Sequence, residues 1–234
     1  MEHFLFKYLQ EKKHIVSLVG AGGKTTVMYQ LAEHFASLGK KILVTTTTHI
    51  FQPACNFAHS LEEVEALWQA GSYAVVGNVE AGTGKLIQLQ TDVFETYSAL
   101  ADLVFIEADG AKRLPCKVPA ENEPVLLPAS DTVIAVMGLD ALHHPIKEVC
   151  FRLEKVQEVL AVTSEHCLTE EDAVKLLLSE QGAFKNVGQR TYFIVLNKCD
   201  DKDRVNSALK IKSILEKEGF DLEKLWFRGE AYRE

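Results

Sequence analysis

The run Gly20-Ala21-Gly22-Gly23-Lys24-Thr25-Thr26 places glycines, one lysine and two hydroxyls where an apolar stretch gives way to a helical pattern. Glycines let backbone N–H groups converge on an oxyanion, a lysine directly after them neutralises the outer phosphates of a nucleotide, and the following hydroxyl suits Mg²⁺. The chemistry this predicts is binding of a nucleoside triphosphate with Mg²⁺. Lys24 would offset charge developing on the phosphoryl group, and Thr25 would hold the metal. The spacing departs from the G-x-x-x-x-G-K-[ST] pattern at one position, because Leu18 stands where that pattern has its first glycine.

A second constellation lies far down the chain. Asn197-Lys198-Cys199-Asp200 follows a run of β-formers from Thr191 to Leu196. An N-K-x-D tetrapeptide at a strand end can select guanine, since a carboxylate at Asp200 accepts from the ring N–H and the exocyclic amine, donors that adenine lacks in that arrangement. Asn197 would brace the loop and the stem of Lys198 would cover the base. The same residue types also make an ordinary polar turn, so GTP is the expected nucleotide and ATP the alternative. Between the two motifs, the apolar run Leu103 to Ile106 delivers Glu107-Ala108-Asp109-Gly110. One of Glu107 and Asp109 is expected to join Thr25 on Mg²⁺ and the other to orient or deprotonate a nucleophile. Glu107 stands where a D-x-x-G motif has aspartate, so the division of labour stays open. Lys24, Glu107 and Asp109 form the candidate catalytic set.

Thr45-Thr46-Thr47-Thr48-His49 closes another strand, with hydroxyls that can reach phosphate or Mg²⁺ and a histidine that titrates near neutral pH. After Gly110, the cations Lys112, Arg113 and Lys117 are interleaved with Pro115 and Pro119, and Pro124 and Pro128 follow, so four of the six prolines fall in one loop. A stiff loop lowers the entropy cost of presenting side chains. Thr47, His49, Lys112, Arg113 and Lys117 are therefore the candidate set facing an anionic substrate. Cys116, flanked by cations, is either a thiol of lowered pKa or a buried inert cysteine. Gly82-Thr83-Gly84-Lys85 reads as a glycine-rich connection between β-like runs rather than a second phosphate loop.

These residues need a scaffold that brings strand ends together. His14 to Val19 reads as a strand, Val27, Leu31, Phe35 and Leu38 recur at helical spacing up to Gly39, and Lys41 to Val44 reads as a second strand. Such a strand-helix-strand unit crosses over right-handedly. Leu61 to Trp68 is a further expected helix, Thr132 to Met137 a further core strand, and Arg152 to Val162, Thr169 to Ser179 and Ser207 to Lys217 are expected helices. Thr169 and Asp172 resemble a capping box. The expected fold is α/β and P-loop NTPase-like, with a mostly parallel central sheet flanked by helices. One nucleotide-binding domain is expected over 1–234, with a small β-containing insertion around 71–92 and a proline-rich loop at 111–130.

Composition narrows the partners. At 234 residues, 47% apolar and 25% charged, the chain can bury a sizeable core. A formal net charge of −8 argues against nucleic acid, whose phosphates demand basic faces. No run of 18 apolar residues is present and the start of the chain does not read as a signal segment, so no membrane partner and a cytoplasmic location are expected. Five cysteines without a C-x-x-C pair suggest reduced thiols, with neither a disulfide framework nor a zinc site.

Taken together, Gly20 to Thr26, Thr45 to His49, Glu107 to Lys112 with Leu114-Pro115 and Glu123-Pro124-Val125, Gly138-Leu139-Asp140-Ala141 and Asn197 to Asp200 resemble the YqeC family over nearly the whole chain. That family is described as selenium cofactor biosynthesis proteins, accessory to selenium-dependent molybdenum hydroxylases. The resemblance implies a phosphate-binding role for Gly20 to Thr26 and a place in that pathway. It implies a cofactor precursor and a molybdenum hydroxylase as partners. The expected function is a Mg²⁺-dependent GTPase accessory to building or inserting such a cofactor. A phosphoryl- or nucleotidyltransferase acting on a small precursor is one alternative, and a non-catalytic nucleotide-gated binding module is another.

Overall fold

The structure, a computed structural model, describes residues 3–231. In chain order the first strands are β1 (His14–Gly20), β2 (Ile42–Thr46), β3 (Ile50–Phe51), β4 (Ala74–Val75), β5 (Asn78–Val79) and β6 (Lys85–Ile87). They are followed by β7 (Leu103–Glu107), β8 (Cys116–Lys117), β9 (Thr132–Gly138), β10 (Cys150–Phe151), β11 (Thr191–Asn197) and β12 (Leu225–Arg228). The helices are α1 (Phe4–Glu11), α2 (Lys24–Ser37), α3 (Leu61–Gln69), α4 (Thr91–Leu100), α5 (Ile146–Val149), α6 (Leu153–Leu160), α7 (Glu170–Leu178) and α8 (Lys202–Lys217).

Seven strands form one sheet in the order β12-β11-β9-β1-β7-β2-β4, parallel throughout. Strands β7 and β9 are buried along their whole length, as parallel strands covered on both faces must be. Alternation divides each strand between two cores: Val16 and Leu18 of β1 pack with Leu31 and Phe35 of α2 and with Leu5 and Leu9 of α1. Val19, Val133 and Ala135 face the opposite side, with Ala208, Ile211 and Leu215 of α8 and residues of α6 and α7. The side chains thus alternate with the period-two geometry of a strand.

Several elements differ from their sequence signals. α1 lies in the mixed, charged start of the chain, yet its face carries Leu5 and Leu9 into the core, and Tyr8 donates from its hydroxyl to Thr191 Oγ1 at 3.0 Å. α4 was not legible as a helix and covers the sheet edge with Phe94. α8 begins at Lys202 rather than Ser207 because the Asp201 side chain accepts from the Arg204 N–H and caps it. The capping box at Thr169 and Asp172 is formed.

The 71–92 segment is shared between two sheets. β4 joins the main sheet as its edge, while β5 and β6 pair antiparallel and add to β3 in a small three-stranded sheet. Gly82 and Gly84 both have positive φ in the hairpin between β5 and β6, closed by the Glu80 N–H on Lys85 O at 2.8 Å, so Gly-Thr-Gly-Lys is a turn. The proline-rich segment is anchored by β8, which pairs in parallel with β10.

Candidate functional site

β1 lies between β7 and β9, so its C-terminal end opens at the centre of the sheet, with the ends of β2, β7, β9 and β11 gathered around it. Ligands of open α/β sheets bind at that edge. The turn after β1 is built from left-handed glycines: Gly20 at φ +91, Gly22 at φ +78 and Gly23 at φ +113. A Cβ on Gly22 would lie 2.1 Å from Gly138 N, and one on Gly20 would lie 2.4 Å from Val136 O. Only glycine fits this close approach. Gly22→Ala is accordingly expected to cost more than about 3 kcal/mol in urea unfolding, whereas Gly39→Ala, at φ +79 with nothing within 4 Å, costs about 1 kcal/mol.

The backbone N–H groups of the motif divide into two sets. Gly20 donates to Asp109 Oδ2 at 3.0 Å, Ala21 to Val136 O at 2.8 Å and Gly22 to Leu114 O at 3.2 Å. These three straps hold the turn to its neighbours. Gly23 caps α2 without any side-chain hydrogen bond, and the first-turn N–H groups of Lys24, Thr25 and Thr26 have no acceptor within the helix. Gly22 to Thr26 line a cleft of 860 Å³ that spreads from the turn toward β3 and the 110–114 loop. A helix N-terminus of this kind favours anions through its free donors and its dipole.

Lys24, only 4% exposed, does not extend into the cleft but folds back, donating to Gly20 O at 2.7 Å. Its Nζ lies 3.0 Å from Asp109 Oδ1 and 3.9 Å from Glu107 Oε1. The Asp109 Oδ1 contact is a charge contact, not aligned as a hydrogen bond. Burial lowers the Lys24 pKa, but Asp109 and Glu107 outweigh it and hold the ammonium above its usual range. Asp109 Oδ2 also meets Lys117 Nζ at 3.0 Å, and Lys117 donates to Glu123 Oε2 at 2.7 Å. Arg152 then grips both Glu123 oxygens at 2.8 Å. The result is a chain of alternating charge, Glu107–Lys24–Asp109–Lys117–Glu123–Arg152, buried from the glycine turn to Lys117 and half-buried at Glu123 and Arg152, where it reaches the start of α6.

Glu107 accepts from the Thr25 hydroxyl at 2.6 Å, so two oxygens lie beside the first turn of α2. Burial pushes the Glu107 carboxyl above the ordinary carboxylate range, with Lys24 and Thr25 opposing. An all-oxygen pair fits Mg²⁺, which takes one or two protein oxygens and completes its shell with phosphates and water. No group of three or more His, Cys, Asp or Glu side chains that could hold a metal occurs among the described residues. Glu107→Gln is expected to leave the ligand-free melting temperature unchanged or higher, since a costly buried carboxylate is removed, while weakening Mg²⁺-dependent nucleotide affinity roughly tenfold or more. Thermal scans and titration with and without Mg²⁺ check both halves.

The N-K-x-D segment reaches the same turn. Asn197 Nδ2 donates to Gly22 O at 2.7 Å, and Arg228 Nη1 donates to Asn197 Oδ1. Lys198, at φ +65, lines the cleft and contacts Asp140 Oδ2 at 2.5 Å. Asp200 stands at the edge of this arrangement, accepting from the Glu230 N–H at 3.1 Å, with Arg204 Nη1 3.6 Å from its other oxygen.

The candidate substrate set is not gathered in one place. His49, Lys112 and Arg113 line the cleft. Thr47 instead donates to Val125 O at 2.8 Å, and Lys117 is 5% exposed and committed to the charge chain. Thr46 Oγ1 donates to Glu107 O at 2.9 Å, tying the end of β2 to that of β7. Cys116 is buried opposite Cys150, and this cysteine neighbour and burial push its thiol well up, so it is no reactive thiolate. The cleft lining also includes residues outside the predicted site set, among them Tyr29 on α2, Phe51 on β3 and Lys85 on β6. Tyr29 follows Thr25 by one helical turn, which was a readable signal. Nothing marked Phe51, and Lys85 belongs to the Gly-Thr-Gly-Lys run that reads as a turn; their approach depends on the small antiparallel sheet.

The protein-family model for "YqeC protein" matches residues 16–154. The "Uncharacterized protein YqeC" of Escherichia coli (strain K12) is 30% identical over 238 aligned residues, covering 93% of this chain and 88% of that protein. Among solved structures, a crystal structure of HypB from Helicobacter pylori in complex with nickel aligns with a TM-score of 0.40 at 12% identity, over 97% of this chain and 83% of that one. That structural likeness is too loose to bear on function. The match of the family model across most of the sheet and the identity along nearly the whole chain decide the matter: the chain belongs to the YqeC family.

Proposed function

We propose that the protein binds a Mg²⁺–nucleoside triphosphate, GTP in preference to ATP, and hydrolyses it in the service of making or inserting a selenium-containing molybdenum cofactor. The observation that carries the nucleotide reading is the open first turn of α2 beside Lys24, with the Thr25–Glu107 oxygen pair next to it. Phosphates would accept from the N–H groups of Gly23 to Thr26, and Lys24 would exchange its contacts with Asp109 and Gly20 O for phosphate oxygens. Mg²⁺, held by Thr25 and Glu107, would neutralise charge on the outer phosphates. Asp109, already engaged by Gly20 N–H and two lysines, serves better as the residue that positions Lys24 than as a metal ligand. Glu107 and Asp109 are thereby given separate roles.

The guanine preference rests on Asp200, whose carboxylate is partly exposed and can turn from the Glu230 N–H to a base edge. Mg·GTP is expected to raise the melting temperature more than equal Mg·ATP, and Asp200→Ala to remove the difference without abolishing binding. Equal shifts in the wild type would end the guanine claim and leave the phosphate claim standing. The selenium pathway rests on the YqeC family alone. Loss of selenium-dependent hydroxylase activity in cells lacking the gene, with molybdenum uptake intact, would be the expected result.

A further inference from the structure

The cleft is larger than the phosphate cradle at its base, and 860 Å³ lies toward the upper end for a small-molecule site. Its far wall is made by Phe51 of β3, Lys85 of β6 and the turn Lys112–Arg113. Three features of that wall are unusual together. First, Lys85, Lys112 and Arg113 form no ion pair within 4 Å among the described residues; Glu80, the acid on the rim, bonds Thr83 Oγ1 at 2.5 Å and His49 Nε2 at 3.3 Å and feels Lys85 only as a more distant charge. Second, these cations rest on aromatic rings instead: Lys85 lies 5.3 Å and Arg113 5.4 Å from the Phe51 centroid, and Lys112 lies 5.2 Å from that of Phe151. Phe51 itself is 63% exposed. Third, Lys112 and Arg113 are consecutive non-glycine residues at φ +45 and φ +64, a backbone that L side chains adopt at a cost.

The turn is held in that state by the glycine loop itself. Leu114 N–H closes it on Ala111 O at 2.9 Å, and Leu114 O accepts from Gly22 N–H at 3.2 Å. Two uncompensated cations are thus fixed one hydrogen bond away from the phosphate cradle, in a chain whose net charge is −8. A ring face holds an exposed cation weakly, while a phosphate offers charge-assisted, directional acceptors. An anion entering the cleft can therefore take these side chains from their rings at small cost. Arg113 presents the planar fork that matches a phosphate, and Lys85 and Lys112 add point charges.

The geometry points to a second subsite in this cleft, separate from the nucleotide, that takes a small phosphate-bearing molecule through Arg113, Lys112 and Lys85. It deepens the nucleotide reading and rests on it for the identity of the neighbour: the second molecule would sit beside the outer phosphates of the nucleotide. Its ligand carries at least one dianionic phosphate, and an uncharged analogue lacks the group these residues grip.

The test uses the full chain saturated with Mg²⁺ and a non-hydrolysable GTP analogue, with ribose 5-phosphate as probe and ribose as the uncharged control, read by ligand-observed NMR. Saturable binding of ribose 5-phosphate, none of ribose, and a loss of at least about tenfold in probe affinity in the K112Q/R113Q double variant are expected. Nucleotide affinity should change less than about twofold in that variant, since neither residue belongs to the phosphate cradle. No saturable binding up to about 10 mM, equal binding by the double variant, or competition between probe and nucleotide for one site would each overturn the proposal. If the nucleotide itself fails to bind, the nucleotide reading falls alone: the same titration on ligand-free protein must still lose the probe in the double variant.

Discussion

Lys24→Ala is expected to abolish the rise in melting temperature that Mg·GTP or Mg·ATP gives the wild type, and at the same time to destabilise the ligand-free protein. The two effects share one cause. Lys24 Nζ is the cation between Asp109 and Glu107, all three are buried, and its removal leaves two carboxylates without their common partner. Breaking a buried pair from one side typically costs about 3–5 kcal/mol, roughly 6–20 °C for a chain of this size. Lys24→Met fills the volume and should show the same two losses. Differential scanning calorimetry measures the ligand-free shift, and titration calorimetry measures affinity. A Lys24→Met protein with full nucleotide affinity would mean that the phosphates lie elsewhere.

The second large effect is expected at a residue one ion pair removed from Lys24. Lys117→Met removes the link between Asp109 and Glu123, leaving three carboxylates against two cations in the chain. A loss of about 3–5 kcal/mol is expected. Removing the opposing charge as well, in the Lys117→Met/Asp109→Asn double variant, should restore much of it, because a neutral pair carries no desolvation debt. The pH dependence supplies an independent reading. Burial alone would raise the Glu123 carboxyl, but Arg152 and Lys117 outweigh it and hold its pKa below the ordinary range. Its folded pKa is therefore below its unfolded one, so its stabilisation is present above the unfolded pKa and is lost as pH falls through the folded pKa. In Lys117→Met that acid-side loss should shrink, as the depressing partner is gone. An unchanged acid limb of the stability profile would contradict the charge-chain account.

Much of the site was legible because it is local. The glycine-lysine-threonine turn, the acids after β7 and the N-K-x-D after β11 are short runs at strand ends, and a parallel sheet brings strand ends to one edge whatever lies between them. What the sequence did not disclose depends on long-range contact. Lys117 looked like a loop cation for a substrate, yet it is the interior member of an ion-pair chain whose other end, Arg152, comes from the start of α6. The division of the glycine motif into three tied N–H groups and an open helix turn depends on Val136, Leu114 and Asp109, none of which lies near it in the chain. Phe51 and Lys85 meet only because β3 and β6 pair across more than thirty residues. Ala74–Val75 joined the main sheet rather than the insertion through its register with Leu43 and Val44, which no local pattern specifies.

The central claim is that the first turn of α2 receives a nucleotide's phosphates. The measurement that bears on it most directly is a crystal structure of the full chain with Mg²⁺ and a non-hydrolysable GTP analogue. The account predicts phosphate oxygens within hydrogen-bond distance of the N–H groups of Gly23 to Thr26, Lys24 Nζ moved from Asp109 onto phosphate, and Thr25 and Glu107 at the metal. A nucleotide seated elsewhere on the protein, with Lys24 still closed on Asp109 and Gly20, would contradict it.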